Sequence, residues 1–276
     1  HGGDGGGRRQ GWELIVVVEW CWAFSYYGIV HDIMIGVEIC IASDGAQSVE
    51  EAVTAAFVGG ASTVELCSAM HSDGLTPTKE QIEQARNAFG SRRGLMVMIR
   101  PRADGFSYSR QELKVMRRQI AMAAESGADG VVLGALCAGD CMIDEIALHD
   151  LVATSAEFDL QVTFHRAFDA LANPVESMRI LIDAGVDRVL TSGIGWGLDQ
   201  TALDGLPQLK KIVEAADGRI EVVIGGGICA ATGPQVLKAL ITPSAVISLH
   251  AYSGVQEQGR TTLAGVQGLL CAVQRF

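Results

Sequence analysis

From residue 36 onward the chain alternates between two hydrophobic patterns. Short β-branched runs, GVEICIA, STVELCSA, LMVMIRP, GVVLGAL, QVTFHRAF, RVLTSG, EVVIGGGI and AVISLHAY, are separated by longer amphipathic stretches. The eight runs predict strands and the stretches between them predict helices. Several helix starts are legible. SVEE (48–51), TKEQ (78–81) and SRQE (109–112) place Ser or Thr three residues before Glu or Gln, the capping-box pattern. NPVE (173–176) puts Pro174 at the first helical position, where its missing N–H costs nothing. In GGAST, SGADG and AGVDR a glycine stands between helix and next strand, where a left-handed residue ends the helix. Strict β–α alternation implies parallel strands with helical crossovers. Eight units in about 250 residues is the size of a (β/α)8 barrel. A doubly wound open sheet is the competing arrangement. It ranks lower because no GxGxxG follows the first strand, and because polar residues recur near the carboxyl ends of nearly all eight runs. The expected fold is α/β, a TIM-type (β/α)8 barrel forming a single domain over residues 36–276.

Residues 1–35 read differently. HGGDGGGRRQG lacks core residues, and the composition predicts disorder. The apolar stretch 12–30 is interrupted by Glu13 and Glu19, so it falls short of a clean run of about 20 apolar residues. This part is expected to be an extension, a leader or a tag remnant, with Met34 a native start. The whole chain of 276 residues is 49% hydrophobic and 19% charged, the balance of a soluble globular protein. A formal net charge of −11 with no basic stripe excludes a general nucleic-acid binder. It leaves room for a small anion held by a few local arginines. Seven irregularly spaced cysteines do not read as a disulfide framework and fit a reducing, cytoplasmic setting.

In such barrels reactive side chains sit at the carboxyl ends of the strands. Period-two alternation gives an inward set: Glu38 and Cys40, Glu65 and Cys67, Arg100 and Arg102, Thr163 and His165 with Asp169 in the following loop, Thr191, the backbone of Gly225, Gly226 and Gly227, and Ser248 and His250. Two carboxylates about 4 Å apart repel by roughly 4 kcal/mol at an effective dielectric of 20. Arg100 and Arg102 on the neighbouring strand are therefore expected to neutralise Glu38 and Glu65. Polar residues gathered at one end, with almost none at the other, point to a solvent-filled site; structural Arg–Glu pairs are the competing explanation. A lone strand cysteine is ordinarily a small buried hydrophobe. A matched pair on strands about 4.8 Å apart brings two sulfurs within bridging distance of one metal ion, and two thiolates with few other ligands suit Cu(I). Zinc would need about four ligands, with His71 or His165 as further donors. Cys137 and Cys141 form a CxxxC with no partner pair and read as incidental, with weak metal affinity. GGGI is both a phosphate-loop signal and an ordinary tight turn.

VEIC, VELC with DGLTPT, MIRPR with GFSYS, GADGVVLGAL, VTFHRAFD, RVLTSG and GGGI occur in an order and spacing that resembles the copper homeostasis protein CutC family, from about residue 36 to about 253. The resemblance implies a TIM-type barrel, a cytoplasmic homodimer and a role in copper handling, with Cys40 and Cys67 as Cu(I) ligands. Three departures fall near the mouth. Ser248 stands two before the last-strand histidine where relatives carry an acid, ADGF replaces GGDF, and the chain after HAYSG reaches its last helix quickly. Two functions follow from the residues. One is a copper homeostasis protein that binds Cu(I). The other is a lyase, isomerase or hydrolase acting on a small anionic metabolite such as a sugar phosphate or carboxylate. In the second, Arg100, Arg102, Gly225, Gly226, Gly227 and His250 hold the anion. His165 or Glu65 serves as general acid or base, Glu38 belongs to the same catalytic group, and Asp169 orients a neighbour.

Overall fold

The computed structural model describes residues 35–139 and 141–274. The expectations for residues 1–34, including Met34 as a start and the Cys21 thiol, lie outside the described residues. Eight strands, β1 (Gly36–Ala42), β2 (Thr63–Cys67), β3 (Leu95–Met98), β4 (Gly130–Leu133), β5 (Gln161–Phe164), β6 (Arg188–Thr191), β7 (Glu221–Ile224) and β8 (Ile247–Ala251), pair in parallel in chain order. β8 returns to β1, with Glu38 opposite His250, so the sheet has no edge and the open-sheet alternative is excluded.

Seven helices form the crossovers: α1 (Val49–Val58), α2 (Lys79–Phe89), α3 (Arg110–Glu125), α4 (Glu145–Ala156), α5 (Pro174–Asp183), α6 (Leu206–Ala216) and α7 (Gly233–Leu240). A two-stranded hairpin, β9 (Gln256–Glu257) and β10 (Arg260–Thr261), leads to the last helix α8 (Leu263–Val273). Thr78 with Gln81 and Ser109 with Glu112 form reciprocal capping boxes, whereas Ser48 accepts only the Glu51 N–H. Pro174 opens α5 as expected. Outward strand residues such as Ile39, Leu66, Val97, Phe164, Val189 and Leu249 join the buried helix faces in one continuous core. This apolar jacket fixes the parity of every strand, since a one-residue slip would turn it inward.

The barrel interior departs from expectation in three ways. First, polar groups are not confined to one end. Arg188, the first residue of β6, donates to Glu38 Oε2 at 2.7 Å and to Glu221 Oε2 at 3.2 Å, while Thr63 Oγ1 donates to Glu38 at 2.9 Å. The Glu38 and Arg188 side chains are 1% and 4% exposed, so this ion network fills the amino-terminal half of the barrel. Second, Arg100 and Arg102 do not neutralise Glu38 and Glu65. Glu65 is level with Met96, whereas Arg100 lies beyond the end of β3 at Met98 and spends its guanidinium on the Ser72, Gly74 and Ala103 carbonyls. Third, Thr191 packs on the outer side of β6 and donates to Asp169. Arg188 and Leu190 hold the inward positions of that strand.

Candidate functional site at the barrel mouth

A cavity of about 300 Å³ opens at the carboxyl ends of the strands. Its inner part is built by β1, β2 and β8, which bring Cys40, Cys67, Glu65 and His250 together. His250 Nε2 and Glu65 Oε2 are 2.7 Å apart. Among the described residues, Cys40, Glu65 and His250 form a group that offers ligand atoms all within 4.8 Å of one another. Cys67 lies beside Cys40, and Met96, Met98 and Met70 pack around the two thiols.

The electrostatics of this inner part follow from burial and pairing. Burial alone would lower His250, but the Glu65 carboxylate raises its imidazole well above the ordinary value. Burial likewise opposes ionisation of Glu65, yet the His250 charge and hydrogen bond hold the carboxyl below its ordinary range. The two therefore form a buried ion pair. The Cys40 thiol is pushed well up by the neighbouring Cys67 sulfhydryl and by burial. At Cys67 the hydrogen bond with Cys40 pulls downward, but burial and the Glu65 and Glu38 charges outweigh it and push the thiol up to about 11. Both thiols are thus protonated at neutral pH.

The outer part is built by loops. His165 closes β5, and burial followed by the Arg100 charge pulls its imidazole down to about 3. Its Nδ1 accepts the Ala167 N–H at 3.1 Å, so the neutral ring carries its proton on Nε2, which is buried without a partner. Arg100 lines the cavity, but its Nη1 donates to the Ser72 and Gly74 carbonyls and its Nη2 to that of Ala103. It braces the loops after β2 and β3. Arg102 does not line the cavity; it pairs with Glu112 and packs over the Tyr108 ring at 5.2 Å. Glu38 belongs to the ion network below, and Asp169 is buried behind the wall, accepting from Thr191, Ser192 and Arg166. Gly225, Gly226 and Gly227 line the mouth. His71 lies outside both the cavity lining and the ligand group, as do Cys137 and Cys141, and the histidine grouped with Cys40 is His250. Ser248 is buried in the barrel with its hydroxyl unpartnered.

Arg166, Phe106, Trp196 and Tyr252 are among the cavity residues that escape the period-two reading. Arg166 follows an inward histidine and so reads as outward. The chain, however, leaves the strand at His165 and enters a 3-10 turn over Arg166–Ala170, which rotates Arg166 back to the mouth. The signal within reach was the Arg-x-x-Asp spacing that pairs Arg166 with Asp169.

Comparison with known proteins gives a consistent picture. Residues 35–255 match the model of the CutC family. The chain is similar to the human copper homeostasis protein cutC homolog, 42% identical over 191 residues, covering 69% of this chain and 64% of the human protein. It is 37% identical over 217 residues to a CutC family protein of Rhizobium meliloti, covering 79% of this chain and 80% of that one. A crystal structure of CutC from Streptococcus agalactiae superposes with a TM-score of 0.68 at 28% identity, covering 79% of this chain and 98% of that chain.

Proposed function

Because this chain belongs to the CutC family, we propose that it is a copper homeostasis protein that takes Cu(I) as its cargo, held by Cys40 and Cys67. The observation that carries the reading is the sulfur-rich inner cavity, in which two adjacent thiols are ringed by Met70, Met96 and Met98. Soft sulfur donors in a water-poor pocket suit Cu(I) and disfavour hard cations. His250 is within reach as a further donor beside Cys40. Binding requires thiolates, so each ion that enters displaces protons from thiols whose ionisation burial opposes. The apparent Cu(I) affinity therefore rises with pH through the neutral and alkaline range. A reducing compartment keeps both thiols free and the copper monovalent.

The test is a competition titration with a Cu(I) chelator under reducing conditions. The parent is expected to hold one Cu(I) with an affinity that climbs with pH. Cys40→Ser combined with Cys67→Ser is expected to lose that site. Equal affinities in parent and double variant would remove the thiol pair as the ligand set.

A further inference from the structure

The outer half of the cavity carries groups for which a thiol-bound metal has no use. Arg100 is 4% exposed and makes no ion pair among the described residues; its guanidinium donates to backbone carbonyls and lies 5.1 Å from the Phe106 ring, and its Nε has no hydrogen-bond partner there. A buried cation without an anion is costly and signals a missing counter-charge. Asp73 lines the same cavity, but among the described residues no ion pair within 4.0 Å joins it to Arg100. Arg166 is positioned by Nε on Asp169 Oδ2 at 2.9 Å, by Nη2 on Ser192 Oγ at 3.0 Å, and by the Trp196 ring 5.4 Å from its guanidinium carbon. Its Nη1 is left over.

Ser192 links this arginine to the loop after β7, because a Cβ on Gly226 would lie 2.9 Å from Ser192 Cβ. Gly226 and Gly227 are consecutive left-handed residues, with φ of 97° and 73°. Their carbonyls accept from the Ala202 N–H and the Thr232 hydroxyl. Their own N–H groups donate to no described residue. With the unpartnered His165 Nε2–H, these groups line one cavity from the β5, β7 and β3 sides.

We propose that the outer mouth binds the phosphate group of a small phosphate monoester, with Arg166 and the Gly226 and Gly227 amides as donors, Arg100 as counter-charge and His165 Nε2–H facing the organic part. Donors converging from several directions, together with one uncompensated cation, match a tetrahedral dianion better than a planar carboxylate. The cavity volume is that of a small metabolite. The proposal is independent of the copper reading.

The test is a titration of metal-free, reduced full-length protein with glycerol 3-phosphate, inorganic phosphate and glycerate, followed by calorimetry and ³¹P NMR. Glycerol 3-phosphate and inorganic phosphate are expected to bind, and glycerate to bind at least about tenfold more weakly. Arg166→Gln should weaken glycerol 3-phosphate about tenfold or more, and Arg166→Lys by less. Arg102→Gln, outside the cavity, should bind like the parent. Absence of phosphate binding at millimolar concentrations, glycerate binding as tightly as the ester, or parent-like affinity in folded Arg166→Gln and Arg166→Lys would each overturn the proposal.

Discussion

His165 and His250 line one cavity and owe their opposite charge states to what faces them. His165, held down to about 3 by burial and Arg100, is neutral when folded, whereas the unfolded side chain titrates near 6.5. Its contribution to stability is therefore complete above about pH 6.5 and declines as pH falls toward 3. Urea unfolding should show that decline in the parent and a shallower one in His165→Gln. His250 runs the other way. Raised by the Glu65 carboxylate, its contribution is complete below about pH 6.5 and is lost as pH rises through its elevated folded value. Removing the anion tests the cause: in Glu65→Gln the His250 titration followed by NMR should move down, and a value still well above the ordinary one would assign the shift elsewhere. The thiols give a third outcome at this scale. Cys40 and Cys67 are buried and protonated, while Cys141 and Cys271 are exposed. Iodoacetamide at neutral pH should label the exposed pair first by mass spectrometry.

The strands and helices show what alternation and caps can and cannot reveal. All eight strands follow from β-branched runs, and the α2 and α3 starts follow from reciprocal caps that place Ser or Thr three before Gln or Glu. Thr78→Ala should cost about 1 kcal/mol in denaturant unfolding. What alternation misses is height. Period two tells which face a residue takes but not how neighbouring strands are staggered, so Arg100 reads as a partner of Glu65 although Glu65 is level with Met96 and Arg100 lies past the strand end. The true partners, Arg188 and His250, come from β6 and β8, across sequence distances that no local pattern encodes. Parity also stops at the strand end, which is why Arg166 is hidden in the reading of VTFHRAFD. The lower network can be tested directly. Arg188→Met strands the buried Glu38 carboxylate and should cost about 3–5 kcal/mol, whereas Arg188→Met with Glu38→Leu should cost less than the single change.

For the molecule as a whole, closure of the sheet gathers residues from positions 40 to 253 into one cavity. None of the described helices is long and apolar enough to cross a membrane. Cargo that binds only the folded barrel must stabilise it by mass action. Under the proposed function, Cu(I) free at 100 times its dissociation constant adds about 2.7 kcal/mol, which for a chain of this size raises Tm by about 5 °C or more. Calorimetric scanning should show that rise in the parent and none in Cys40→Ser/Cys67→Ser.

The interlocked Glu38, Arg188 and Glu221 side chains act as a stopper in the bottom of the vessel. Among the described residues the barrel is closed at this end, so a guest comes and goes by the mouth. Whatever rests on the sulfurs lies deepest and is last to leave, and an occupant near the rim detains it.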